Sequence, residues 1–269
     1  MRKVLITGAT SGVGLAAAKL FSVSSKVVGT TSNAQTVVDF THSEYNLIKM
    51  DLSDSVQRVE GLAKAIELLG GYPDVVIHNA GVGELGAVED TDLELSLKLF
   101  EVNYWGPVWL TKEILPHFRN RASGHFLFMG SIVFELQFPF KAQYCASKSA
   151  LSAFALSLRH EVEPYGIYTH LLEPGWVRTN FHNALTEISN PETPYGPRLA
   201  PFKDFSADQD SKLPDGDDVA QILLDLVIDP SKPVRQDVGP DCKKFKFAKR
   251  FLRNHWIDKI IKKKIIDKK

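Results

Sequence analysis

The chain has 269 residues, 44% of them hydrophobic, and its 32 Lys/Arg balance 32 Asp/Glu for a formal net charge of zero. That length fits one large α/β domain or two small ones, and the charge balance gives no global reason to expect a nucleic-acid partner. Two cysteines, Cys145 and Cys242, exclude a disulfide framework in a chain this long, and no apolar run reaches the roughly 18 residues that a membrane-spanning helix needs.

Short apolar runs alternate with longer helical patterns. Strands are predicted at residues 3–7, 26–30, 46–50, 74–78, 124–130, 167–173 and 234–238. Most are runs of Val, Ile, Leu and Phe, as expected for strands covered on both faces. Helices are predicted between them at 12–21, 53–69, 92–119, 142–165 and 217–228. This alternation implies an α/β fold: a doubly wound, parallel, seven-stranded sheet of Rossmann type, flanked by helices and joined by right-handed crossovers. With no repeat or linker in view, residues 1–269 are expected to form a single domain. Met1-Arg2-Lys3 runs directly into the first strand without a signal peptide, so a soluble, cytoplasmic protein in a reducing compartment is expected.

Two segments break the rhythm. Residues 181–215 carry Pro191, Pro194, Pro197, Pro201 and Pro214, interspersed with Phe181, Tyr195, Phe202 and Phe205. Prolines at that density oppose one long helix, and the segment reads either as a substrate lid or as a plain insertion. Residues 242–269 hold twelve Lys/Arg against Asp258 and Asp267, leaving 20 basic against 30 acidic residues before them. Phe245, Trp256, Ile257 and Ile260 are mixed among those charges. Such a basic amphipathic segment suits peripheral contact with an anionic membrane, or equally a helix packed on the domain or on a sister subunit.

The first strand leads into Gly8, Gly12 and Gly14, followed by an apolar helix. Glycines let the backbone turn tightly and let phosphate oxygens approach, and the helix start offers N–H groups and a positive dipole end. A turn of this kind that binds nothing is the plain alternative. Far downstream, Tyr144 and Lys148 stand four residues apart on a predicted helix and therefore share a face. A phenol titrates near 10, so it is a useful acid or base near neutrality only where something stabilises its anion. A lysine one turn away can do that.

Further residues fall into one known pattern. The spacing Gly-x-x-x-Gly-x-Gly, Asp51-Leu52, Asn79-Ala80-Gly81, Asn103, Ser131, Tyr-x-x-x-Lys, Pro174-Gly175 and Thr179 together resemble the short-chain dehydrogenase/reductase superfamily, over residues 3 to about 240. Leu172 to Thr179 and Val238-Gly239-Pro240-Asp241 look like its 17β-hydroxysteroid and retinol dehydrogenase branch. The resemblance implies catalysis by Asn103, Ser131, Tyr144 and Lys148. Tyr144 would be the proton donor or acceptor and Ser131 would bond the substrate oxygen. Lys148 would bond the nicotinamide ribose, and Asn103 would hold a water through its backbone at a helix kink. It also implies a dinucleotide contacted by Gly8, Thr10, Ser11, Gly12, Val13, Gly14, Asp51, Leu52, Asn79, Ala80, Gly81, Pro174, Gly175, Val177 and Thr179. Asp51 would meet the adenine edge, or else cap the helix predicted at 53–69.

After the second strand, Thr30, Thr31 and Ser32 stand where an acidic residue would bond a free ribose 2′-hydroxyl. Without that carboxylate to repel a 2′-phosphate, NADP(H) is expected over NAD(H). Phe134, Leu136, Phe138, Phe140, Trp176, Phe181 and Phe202 imply an apolar pocket for a lipophilic carbonyl or alcohol, unless they are core or dimer packing. Cys145 reads as a buried small hydrophobe, His78 as a strand-end residue, and no metal-ligand spacing appears. A homodimer or homotetramer is expected by the same resemblance. The rival to an enzyme is a dinucleotide-binding regulatory protein that has lost turnover.

Overall fold

A computed structural model describes residues 1–40, 44–179, 181, 185–190, 192–199, 213–251 and 259. Pro191, Pro201, Phe202 and Phe205 of the expected lid lie outside the described residues, as does nearly all of the expected tail after Phe251.

Seven strands form one sheet: β1 (Arg2–Ile6), β2 (Ser25–Thr31), β3 (Asn46–Lys49), β4 (Val75–His78), β6 (Gly124–Met129), β7 (Ile167–Pro174) and β9 (Arg235–Val238). Their order is β3-β2-β1-β4-β6-β7-β9 and every pairing is parallel. Each lies within one residue of its sequence-based limits. Successive side chains of a strand point to opposite faces, and both faces are dry. Val4 and Ile6 pack with Ala17 and Phe21 of α1 (Gly12–Ser22) and with Val219 and Leu223 of a helix at Gly216–Ile228. Leu5 between them joins the opposite cluster, with Leu62 of α3 (Ser55–Leu69), Ile114 of α5 (Gly106–Asn120) and Leu151 of α6 (Ala142–Val162). The order reverses between β1 and β4, and in such sheets a crevice opens there above the carboxyl ends of the strands.

Four local features differ from the sequence reading. The helix expected over 92–119 is α4 (Leu93–Phe100), then a π-helical turn at Glu101–Trp105, then α5. Such a turn inserts a residue into the hydrogen-bond ladder and bends the helix. The helix expected over 142–165 ends at Val162 and finishes as a 3-10 turn at Glu163–Tyr165. A short helix, α2 (Ala34–Asp39), was not foreseen, because its run is brief and half polar. Two short strands, β5 (Glu84–Leu85) and β8 (Thr186–Glu187), pair in parallel and tie part of the expected lid to the chain after β4.

The start of the basic tail is a helix at Pro240–Phe251. Two of its lysines turn inward onto acidic residues. Glu173 of β7 is fully buried and meets Arg235 at 2.8 Å and Lys246 at 2.7 Å. Lys246 also bonds Asp237, while Glu135 pairs with Arg235 and Lys249, each at 2.7 Å. Packing on the domain is therefore the reading that holds for this part of the tail. The buried carboxylate depends on its cations, because removing the partners of a buried ion strands an uncompensated charge. The double change Arg235→Met and Lys246→Met should lower unfolding free energy by about 3–5 kcal/mol in urea titration. Adding Glu173→Met should recover part of that loss, and a triple variant no more stable than the double would contradict the assignment.

Candidate active site

The loops leaving β1, β4, β6 and β7 converge on one cleft of about 530 Å3. Its first wall is the glycine turn. Gly8 and Gly12 take φ of +67° and +51°, values that side chains on Cβ disfavour. A Cβ on Gly14 would overlap the Gly8 carbonyl and the Asn79 amide. Asn79 donates through Nδ2 to the carbonyls of Thr7 (3.0 Å) and Gly8 (2.9 Å). Thr7 Oγ1 in turn accepts from the N–H groups of Asn79 and Ala80 at 3.1 and 3.0 Å. The exits of β1 and β4 are thus locked together, with the start of α1 behind them.

This turn fits a pyrophosphate: the backbone is bare at three glycines, and Thr10, Ser11, Gly12 and Val13 line the cleft just before the helix rises. Thr30, Thr31, Ser32, Asp51, Leu52, Ala80 and Gly81 continue the lining on one side, and Pro174, Gly175, Val177 and Thr179 on the other. Asp51 does not cap α3. Its Oδ1 accepts from the N–H and hydroxyl of Ser53 at 2.8 and 2.7 Å, whereas Asp54 Oδ1 accepts from Val56 and Gln57 at the helix start. The capping alternative therefore belongs to Asp54, three residues on. Gly175 has no room for a Cβ because the Asp241 carboxylate sits against it, bonded to the Trp176 N–H at 2.7 Å.

Tyr144, Lys148 and Ser131 line the other end of the same cleft. Tyr144 and Lys148 are 9% and 4% exposed, so both titrating groups sit in low dielectric. Burial pushes the Tyr144 phenol up to about 12, while a hydrogen bond with Ser131 acts the other way. Burial pulls the Lys148 ammonium down to about 8, and its Nζ donates to the Met129 carbonyl at 2.8 Å. The phenol is thus set by burial and by Ser131 rather than lowered by its lysine neighbour as expected.

Gly14 and Asn103 stand behind the lining rather than in it. Asn103 lies in the π-helical turn and its side chain grips the Val82 backbone twice, accepting from N–H and donating to C=O, each at 2.9 Å. It also donates to Ser147 at 3.0 Å. A Cβ on Gly81 would lie 3.3 Å from Lys148 Nζ and 3.4 Å from Asn103 Oδ1, so this glycine lets both side chains close on the turn after β4.

Sequence reasoning missed several members. Glu84, 1% exposed, accepts from the Gln143 and Tyr144 N–H groups at 2.8 and 3.4 Å, and so braces the first turn of α6. Lys98, Val102, Ile132, Val133 and Lys141 line the cleft as well. None carried a usable signal in the sequence; Lys141 is the residue just before α6, with a non-helical backbone. Cys145 is buried beside Leu99 and Val133 with its thiol pushed up by burial, consistent with a packing residue. His78 is buried, bonded to Thr111 at 3.0 Å and lowered by desolvation to about 3. Among the described residues no His/Cys/Asp/Glu group could hold a metal, and no helix is long and apolar enough to cross a membrane.

A sequence model described as short chain dehydrogenase matches residues 2–189. "Dehydrogenase/reductase SDR family member 7B" of Rattus norvegicus is 34% identical over 197 residues, covering 68% of this chain and 60% of that protein. This chain thus aligns with less than two thirds of the length of that relative. "Probable short-chain type dehydrogenase/reductase VdlC" of Helicobacter pylori is 27% identical over 98% of both chains. The crystal structure of a short-chain dehydrogenase from Streptomyces avermitilis superposes with a TM-score of 0.78 at 28% identity, covering 96% of this chain and 93% of that one. Two more distant structures at 22% identity share the fold. They are a 4-hydroxyisoleucine dehydrogenase complexed with NADH (TM-score 0.72) and a serine dehydrogenase complexed with NADP+ (TM-score 0.73), each covering 88% of this chain, with 97% and 94% of those chains covered.

Two measurements test this geometry. Gly14→Ala should cost about 1–3 kcal/mol through overpacking and abolish the fluorescence change on adding NADPH; wild-type behaviour in both would refute the close approach. Lys148 binds its proton less tightly when folded than unfolded, so between about pH 8 and 10.5 the unfolded chain holds more protons and folding gains stability as pH rises. The stability of Lys148→Met relative to wild type should therefore fall by about 1–3 kcal/mol between pH 8 and 10; a constant difference would contradict a buried ammonium.

Proposed function

Because the chain belongs to the short-chain dehydrogenase family of oxidoreductases, we propose that it interconverts a lipophilic carbonyl compound and its alcohol, using NADP(H) in preference to NAD(H). One observation carries this reading: the Tyr144 phenol, bonded to Ser131, opens onto the same cleft as Lys148 and the glycine turn. The nicotinamide, when bound, supplies or takes up a hydride; the remaining chemistry falls to side chains of this chain.

Ser131 holds the substrate oxygen and stabilises the charge that develops there. Tyr144 then delivers a proton to that oxygen, or removes one in the reverse direction. Raised by burial to about 12, the phenol keeps its proton, so positive charge brought by Lys148 and an oxidised nicotinamide is needed before it can serve as the base. Lys148 bonds a ribose hydroxyl of the dinucleotide in this reading and adds positive charge near the phenol. Asn103 acts through the Val82 turn and Ser147, keeping the helix bend and the turn after β4 in register. The 2′-phosphate preference rests on Thr30, Thr31 and Ser32, which place no carboxylate at the end of β2.

The apolar wall of Phe138, Trp176 and Phe181 supports a hydrocarbon-rich substrate body. Residues 1–269 are read as one dinucleotide-binding and catalytic domain. Self-association as a dimer or tetramer fits the exposed Leu93, Leu97 and Trp105 on α4 and the π-helical turn. Any peripheral membrane contact falls to the exposed Lys243 and Lys244 and to the basic residues after Phe251, since Lys246 and Lys249 are engaged within the fold.

Tyr144→Phe should reduce turnover about 10²–10⁴-fold in a nicotinamide-absorbance screen of ketones and aldehydes, with NADPH binding retained. Full turnover in that variant would overturn the assignment. Turnover by neither protein, with NADPH bound, would favour the regulatory reading. NADPH should show the lower KM; a lower KM for NADH would overturn the cofactor preference.

A further inference from the structure

Helix α6, which carries the phenol, has no cap of its own. Its N-cap residue is Lys141, and a lysine side chain has no acceptor to offer the first N–H groups of a helix. The acceptor comes instead from Glu84, 59 positions before Gln143. Its Oε1 takes the N–H groups of Gln143 and Tyr144 at 2.8 and 3.4 Å. These are the second and third residues of the helix, the pair that a local cap would serve. A carboxylate only 1% exposed is costly to bury, and among the described residues its Oε2 has no hydrogen-bond partner. The start of the catalytic helix is what answers that burial.

The segment that holds Glu84 is bonded on its other side to residues 185–188. β5 pairs with β8, the Thr186 N–H donating to the Gly83 carbonyl at 3.0 Å and the Ile188 N–H to that of Leu85 at 2.9 Å. Gly83 and Gly86 are bare where this arm crosses them. A Cβ on Gly83 would lie 2.5 Å from Leu185 Cδ2, and one on Gly86 would lie 2.6 Å from Ile188 Cβ. A second link runs from β5 to the entry of α6. The Gly86 N–H donates to the Phe140 carbonyl at 2.9 Å, and Phe140 takes φ of +62°, a left-handed backbone that a bulky aromatic residue holds only under constraint. Phe181 completes the connection to the cleft it lines. A Cβ on Gly83 would lie 3.1 Å from its Cζ, and its ring stands 5.8 Å from that of Tyr144.

We propose that Glu84 is a positioning residue for Tyr144, and that residues 83–86 form a strut through which the 185–188 arm sets the place of the phenol. This deepens the carbonyl–alcohol reading and rests on it for turnover, but the strut itself is tested without turnover. A hydrocarbon body held against Phe181 bears on the same strut, so the filling of the cleft and the depth of the phenol are mechanically joined.

Steady-state kinetics and amide hydrogen exchange by NMR, on the full chain and three variants, decide the matter. Glu84→Ala should lower kcat about 10–100-fold, as expected for a misplacement on the order of 1 Å, with the KM for NADPH within about twofold of wild type. Glu84→Gln keeps an acceptor oxygen for both N–H groups and should restore most of kcat. Exchange at the Gln143 N–H should quicken about 5–10-fold in Glu84→Ala. It should also quicken in Thr186→Pro, which removes the donor to Gly83 at an exposed position and leaves Glu84 intact. Unchanged kcat and exchange in Glu84→Ala would overturn the proposal, as would a KM for NADPH that rises in step with the fall in kcat. Exchange that quickens in Glu84→Ala but not in Thr186→Pro would leave Glu84 a helix cap and overturn the strut. Should Glu84→Ala fail to fold, Thr186→Pro decides alone. If wild type reduces no carbonyl while exchange quickens in both variants, the strut stands and the enzymatic reading falls.

Discussion

One contact holds the working end of this molecule together: the carbonyl oxygen of Gly8, gripped by Asn79 and pressed against the bare Cα of Gly14. Three elements meet at that oxygen: the exit of β1, the first turn of α1 and the exit of β4. Thr7 completes the lock by accepting the N–H groups of Asn79 and Ala80. Any side chain at Gly14 would push the helix start away from the strand ends. The dipole end of the helix and the N–H groups of the turn would then no longer point into the crevice. The chemistry proposed for Tyr144 would depend on this distant contact, because it sets where a dinucleotide would enter and how deep it would reach.

At the opposite end the governing quantity is desolvation. Tyr144, Lys148 and Lys141 all sit in a dry cleft, and burial moves each toward its neutral form. A lysine near 8 keeps its proton only just at neutral pH, so small changes in nearby charge alter its state. The phenol moves in the other direction and holds its proton more firmly. Both shifts favour the uncharged forms, so the site by itself disfavours a phenolate–ammonium pair until a charged ligand enters. Placement of an acidic or cofactor group beside either lysine would restore its charge through Coulomb attraction.

The sheet was legible in the sequence because buried parallel strands are continuous apolar runs, and all seven strands lie within a residue of those runs. Tyr144 and Lys148 were legible through spacing and Ser131 through the family resemblance, and the structure brings all three to one cleft. What spacing could not show were features with no local signature. The π-helical turn at Glu101–Trp105 is only half visible in the sequence: Pro107 has no N–H for the Asn103 carbonyl, but the grip of Asn103 on Val82 leaves no trace there. Glu84 braces α6 from 59 positions away, which no periodicity records. Asp51 and Asp54 are equally good caps on paper, and only hydrogen-bond geometry separates them. In the tail, the sequence leaves packing on the domain and contact with a membrane both open, and only the geometry shows Lys246 and Lys249 answering acids inside the fold.

Asp241 has a bearing on biogenesis. It bonds the Trp176 N–H from 65 positions downstream and fills the space beside Gly175 that a Cβ would take. The β7 exit therefore waits on residues translated long after it. During synthesis the glycine turn and the β4 exit can assemble early, whereas the floor beneath the crevice is finished only when β9 and the segment after it have emerged. Proteolytic clipping ahead of Asp241 would likewise take from a finished molecule the carboxylate that bonds the Trp176 N–H.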